Sequence, residues 1–156
     1  MKKDDEGMDP FHLNRFVEAQ NPCFEQVLSE LVDGQKRTHW MWFIFPQIHG
    51  LGSSAMAQRF AVTGLEEACA YLNHPLLGAR LRDCTELVNA VSANDPDDIF
   101  GYPDSLKFHS SMTLFASAME HDSVAYHAGN QVFADALIQY FHGEPDQATL
   151  EQLHLQ

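Results

Sequence analysis

The chain has 156 residues, enough for one domain that buries its own core without disulfide or metal staples. Apolar residues make up 45% of it and charged residues 20%, which excludes a disordered chain. It is acidic, and its formal charge of −13 repels a phosphate backbone: polymeric nucleic acid is excluded as a partner, while a small anion held by a few converging cations is not.

Residues 1–8 are charged and unpatterned and read as a disordered tail, with residues 9–156 as a single globular helical domain. Lys2 and Lys3 lead into acidic residues and not into an apolar stretch, so no secretory signal is read and the cytoplasm is the default compartment. Asp9 and Pro10 suit a helix start, with Leu13, Phe16 and Val17 on one face. Asn21-Pro22 interrupts that helix. Phe24, Val27, Leu28, Leu31 and Val32 then repeat at helical steps up to Gly34, and the two helices are expected to form a hairpin.

The run from Trp40 to Phe45 has neither period, and Pro46 follows it, so a buried extended or irregular segment is expected. It is far shorter than the ~20 residues of a membrane span, and no membrane partner is read. Gly50 to Ser54 reads as a flexible loop that lets a ligand approach the backbone. Thr63 to Glu66 has the spacing of a capping box ahead of a helix with Leu65, Ala68, Cys69 and Leu72 inward. Pro75 opens another, striped by Leu77, Leu81, Cys84, Leu87, Val88 and Val91 and closed by Asn94-Asp95-Pro96. After a turn at Gly101, Pro103 and Asp104, a mostly buried helix is expected over 106–119. Phe133, Leu137, Ile138 and Phe141 define the next, and a short one is expected over 146–153. The fold class is therefore mainly α, a compact single-domain bundle of about six to seven helices with a short extended aromatic segment.

Asp9-Pro10-Phe11, Arg15-Phe16-Val17 and Ala19-Gln20, the nonapeptide His39 to Gln47, and Gly50-Leu51-Gly52 together resemble the bacterial family called domain of unknown function 1810. The likeness continues through His74-Pro75, Ile99-Phe100-Gly101, Asp104, Lys107 and Ser110 to Phe115, and spans essentially residues 9–153. The family is often labelled calpastatin, a protease inhibitor. Inhibitory segments of that kind are polar and fold only on their target, unlike this aromatic-rich chain. In size, helical content and a Trp- and His-containing segment followed by a Lys-containing one, the chain is also similar to a helical family associated with ADP-ribose and riboflavin-precursor chemistry. That family's catalytic glutamate has no counterpart matched residue by residue.

Three constellations could bind a ligand, and one pocket is expected where the Lys36 to Gln47 segment meets the Lys107 to Thr113 helix. Lys36, Arg37, Thr38 and His39 lead into Trp40 and Trp42, so cations could hold an anion while an indole stacks on a flat ring; the plain alternative is a helix end followed by core. Lys107 with Ser110, Ser111 and Thr113 lies early in a helix, where a phosphate or carboxylate could bind; alternatively the hydroxyls bond back to the helix and Lys107 pairs with Asp104. Gln47 and His49 with the Gly50 to Ser54 loop form the third, in which Gln47 could fix a ligand by hydrogen bonds; a plain turn needs the glycines just as much. Nine histidines show no metal-ligand spacing and the widely separated Cys23, Cys69 and Cys84 read as small buried hydrophobes, so no metal and no cofactor are expected. If catalysis occurs, His39 is the acid/base, with Glu18, Asp98 and Asp104 the carboxylates to consider. The expected function is binding or hydrolysis of a small anionic nucleotide-like ligand of ADP-ribose type; the alternative is a non-catalytic protein-interaction module.

Overall fold

A computed structural model describes residues 9–155; the tail expected over residues 1–8 lies outside them. Ten α-helices occur among the described residues: α1 (Asn14–Gln20), α2 (Phe24–Asp33), α3 (Met41–Ile44), α4 (Ala55–Arg59), α5 (Leu65–Asn73), α6 (Pro75–Ala90), α7 (Asp97–Phe100), α8 (Asp104–Ala118), α9 (Gln131–Phe141) and α10 (Gln147–His154). That exceeds the six or seven expected, because α3, α4 and α7 have only four or five residues each. Elements that short leave no 3.6-residue repeat to read. No strand forms among the described residues; the chain makes one isolated parallel bridge, between Ile48 and Val62.

Helix α8 is the central element. It packs against α5, α7, α9 and α10, and Phe108, Ser111, Met112, Thr113, Leu114 and Phe115 are all buried, so it has no polar face of the usual width. Helix α6 lies against α2, α5 and α9 through Leu77, Leu81, Cys84 and Val88. The expected hairpin of α1 and α2 is not what forms: α1 packs chiefly on α3 and α6, and α2 on α6. Ile138, placed by spacing on the inner face of α9, is 65% exposed.

Several boundaries move for identifiable reasons. Helix α1 begins at Asn14 and not at Pro10, because His12 sits at φ 53 in the left-handed region. The Asp9 carboxylate nevertheless accepts from the N–H groups of Leu13 (2.7 Å) and Asn14 (2.9 Å). Asn21 stays helical although it precedes a proline, and the break falls at Cys23, with φ −126 and ψ 5. The aromatic run is not extended: Met41–Ile44 winds one turn, flanked by Trp40 at φ −136 and by Phe45, which leaves the helical region before Pro46 at ψ 76. At α5 the carboxylate that reaches back to Thr63 is Glu67 and not Glu66, accepting from both its N–H and its hydroxyl at 2.9 Å.

The aromatic run supplies the centre of the core. Phe45 meets Phe108 edge-on at 5.1 Å and Phe100 at 5.8 Å, while Phe43 packs on Phe60 at 5.4 Å. Such tilted and edge-to-face pairs are the favoured aromatic geometry. Gln20, itself buried, donates to the Phe43 carbonyl at 2.7 Å and the Tyr71 hydroxyl at 3.1 Å, tying α1 to the run and to α5.

Candidate functional site

The segment leaving α2 is stitched down before it reaches the aromatic run. Glu30, fully buried, accepts through Oε1 from the N–H of Arg37 (2.6 Å), the N–H of Thr38 (3.0 Å) and Nε1 of Trp40 (3.0 Å). Its Oε2 accepts from the Thr38 hydroxyl at 2.6 Å and from Gln26 at 2.9 Å. Burial alone would push this carboxyl up, but the hydrogen bonds from Thr38, Arg37 and Gln26 outweigh it and hold the pKa at about 2. One residue earlier, the Lys36 N–H donates to the Ile99 carbonyl at 2.7 Å, which fastens the segment beside α7 and the first turn of α8.

That main-chain bond brings two distant lysines together. Lys36 Nζ lies 2.8 Å from Asp104 Oδ2, and Lys107 Nζ lies 3.2 Å from Asp104 Oδ1. Burial pushes the Asp104 carboxyl up, yet Lys36 and then Lys107 hold it below its ordinary value. Each ammonium also sits over an indole: Lys36 is 5.2 Å from the Trp40 ring and Lys107 is 5.0 Å from the Trp42 ring, within cation–π range. The Lys36 side chain is only 8% exposed and that of Lys107 25%, so Lys107 is the more reachable cation. Two ammoniums and one carboxylate leave the cluster with a net positive charge on a strongly acidic protein.

The other expected site residues divide by burial. Trp40 is 1% exposed with its N–H given to Glu30, so its indole is core and does not face a ligand. Trp42 is half-buried. Arg37 is exposed and pairs with Asp33 at 3.2 Å, away from the lysine pair's carboxylate. His39 is exposed, and among the described residues no hydrogen bond orients its ring. Gln47 is half-buried, and its carbonyl accepts from the Val62 N–H at 2.8 Å beside the bridge.

Ser110, Ser111 and Thr113 do not join the lysines. Thr113 Oγ1 donates back to the His109 carbonyl at 2.9 Å and accepts from the Asp146 N–H at 2.8 Å. Ser110 Oγ lies 3.1 Å from the Leu106 carbonyl and 3.2 Å from Asp146 Oδ2. Both hydroxyls therefore fasten the start of α10. Ser111 Oγ is buried without a partner. The Gly50 to Ser54 loop is largely exposed and meets α10 at its start, where a Cβ on Gly50 would stand 2.6 Å from the Gln152 side chain. Of the carboxylates considered, Glu18 accepts from Asn14 at 2.8 Å, and Asp98 lines an open acidic hollow of about 630 Å³ with Asp95 and Asn94. Asp104, read from sequence as a turn residue, is the group around which the lysines gather. The Asp104 and Lys107 spacing of three residues signalled half of that arrangement, and nothing local signalled Lys36.

The family model described as a protein of unknown function, DUF1810, matches residues 10–153. The chain belongs to the DUF1810 family. A crystal structure of a conserved hypothetical protein, Rv1873 from Mycobacterium tuberculosis, is similar to this DUF1810 chain at 50% identity with a TM-score of 0.86, over 95% of this chain and 100% of that one. No curated protein matches this DUF1810 chain. Among the described residues no helix is long and apolar enough to cross a membrane, and no group of three or more His, Cys, Asp and Glu gathers to hold a metal.

Proposed function

We propose that this DUF1810 domain binds a small, planar, anionic molecule, such as a nucleotide derivative of ADP-ribose type, on the surface formed by Lys107, Trp42, Lys36 and Asp104. The observation that carries the reading is the meeting of Lys36 and Lys107 on one carboxylate beside a half-buried indole. In this reading the ligand's anionic group takes a hydrogen bond from Lys107 and its ring lies against Trp42, while Lys36 and Asp104 fix where the Lys107 ammonium stands. Binding is favoured over hydrolysis, because a proton-transfer role for His39 needs a partner that fixes its ring.

The test is ligand binding followed by thermal shift and by tryptophan fluorescence, with ADP-ribose and adenosine monophosphate as probes. Trp40 is buried, so quenching on contact is expected to come from Trp42. Lys107→Ala is expected to weaken binding about tenfold or more, the worth of one charge-assisted hydrogen bond, and Trp42→Leu to weaken it and remove the quench. No stabilisation by either probe, or affinity indifferent to both substitutions, overturns the reading.

A second reading, a protein-interaction module, draws on Tyr102 (75% exposed) and Leu106 (52% exposed), which bracket the start of the same helix. Exposed apolar side chains beside a cation suit a protein partner. Leu106→Asp separates the two: it disrupts a protein contact and leaves a ligand held by Lys107 and Trp42 in place.

A further inference from the structure

A hollow of about 340 Å³ lies between the end of α8 and the start of α9, lined by Met119, Tyr126, His127, Asn130 and Gln131 among others. Its size is at the lower end of what small-molecule sites require. It shares no residue with the Lys36 and Lys107 cluster. Its wall is set by hydrogen bonds: Asn73 donates to the Ser123 carbonyl at 2.8 Å and accepts from the Ala125 N–H at 3.0 Å. Gly129 allows the loop to close, since a Cβ there would stand 2.9 Å from the His127 ring and 3.1 Å from the Arg82 side chain.

Asn130 is 95% buried by its 5% exposure, and Arg82 donates to its Oδ1 at 3.2 Å. A guanidinium can only donate, so the amide orientation is determined and the NH2 end is turned away from Arg82. Among the described residues no hydrogen bond falls on that Nδ2, and it is not one of the atoms sealed in the interior without a partner, so it is a donor open to the hollow that Asn130 lines. His127 supplies a second donor. Its Nδ1 accepts from the Gly129 N–H at 2.9 Å, so the neutral ring carries its proton on Nε2. Tyr126, 93% exposed, offers an uncovered aromatic face, and Met119 an adaptable apolar one.

We infer that this hollow is a binding site for a small aromatic amide, whose carbonyl accepts from Asn130 Nδ2 and whose ring lies against Tyr126 and Met119. Isolated N–H donors suit a carbonyl oxygen better than a phosphate, because the neighbouring cation Arg82 is directed at the Asn130 carbonyl. The open amide donor and the uncovered ring are both engaged by one such ligand.

Benzamide is the probe, titrated into the full chain and followed by heteronuclear NMR. The Asn130 side-chain amide resonances and the Tyr126 ring signals are expected to move together along one saturation curve. Asn130→Asp, which replaces the donor by an acceptor, is expected to weaken binding tenfold or more, and Tyr126→Ala, at an exposed position that leaves the fold intact, to weaken it severalfold. An Asn130 amide that does not shift at about ten millimolar benzamide overturns the inference in the unmodified protein, whether or not the aspartate variant folds. So does affinity unchanged in both variants.

Discussion

Glu30 carries more of the local structure than any of the residues the sequence singled out. Its two oxygens collect five donors from Gln26, Arg37, Thr38 and Trp40, and together with the burial of Trp40 they anchor the segment that presents Lys36 at its other side. Glu30→Gln keeps the shape but turns an NH2 toward donors, leaving buried groups unsatisfied. It is expected to cost on the order of 3 kcal/mol in urea unfolding. The pH dependence has a defined sign. The folded pKa of about 2 lies below the ordinary 4.5, so this contribution is fully present above 4.5 and is lost as pH falls through the folded value. The Gln variant is expected to show a flatter acid limb of stability against pH; an acid limb identical to that of the unmodified protein would remove Glu30 as its source. The sequence offered no signal for this role, since a glutamate inside a helical repeat reads as solvated surface.

Between α5 and α6 one histidine serves two helices. The His74 N–H donates to the carbonyls of Ala70 and Tyr71 at the end of α5, while its Nδ1 accepts from the N–H groups of Leu76 (3.2 Å) and Leu77 (3.1 Å) at the start of α6. Burial lowers its pKa, partly opposed by Asp9, and protonation would remove the acceptor. Stability from this cap is therefore present above the ordinary imidazole pKa and declines as pH falls below it. His74→Ala is expected to cost about 1 kcal/mol, and His74→Asn to restore most of that without the pH dependence, as read by thermal unfolding at several pH values. Equal loss in both variants would mean that packing and not capping explains the residue. The Pro75 start of α6 and the Gly34 end of α2 were legible because each rests on one backbone preference. The turns α3, α4 and α7 were not, because four or five residues carry no helical repeat; α4 buries none of its residues and is held locally, with Ser54 Oγ accepting from the Ala57 N–H at 3.1 Å. Phe45 shows the limit: the proline rule correctly kept that residue out of a helix and said nothing about the four before it.

At the scale of the molecule the same division governs the site. Lys36 and Lys107 were each visible as cations near aromatic or hydroxyl residues, but their meeting depends on one main-chain bond from Lys36 to Ile99 and on Asp104 between them. The hydroxyls of Ser110 and Thr113 could not be assigned locally, because their partner Asp146 lies more than thirty positions away. A comparable long-range device holds the excursion between α3 and α5 onto the bundle. Arg15 donates to the carbonyls of Arg59 and Ala61, both at 2.9 Å, to Glu67 at 2.9 Å, and to the carbonyls of Phe11 (2.7 Å) and His12 (3.0 Å). Its side chain is 13% exposed and that of Glu67 only 1%, so the pair is desolvated and breaking it leaves a buried carboxylate uncompensated. A lysine carries the charge but cannot spread its donors over five acceptors on three stretches of chain. Arg15→Lys is expected to cost about 3 kcal/mol and to lower the melting temperature by roughly 6 to 12 °C in calorimetry. Limited proteolysis within residues 49–59 is expected to accelerate in the variant before global unfolding does, because the loop loses its tie to α1 while Phe16 and Phe60 keep their contact at 5.6 Å. A melting temperature unchanged by the substitution would show that this aromatic contact and Gln152 over Gly50 suffice to hold the excursion, and that the arginine is an accessory to them.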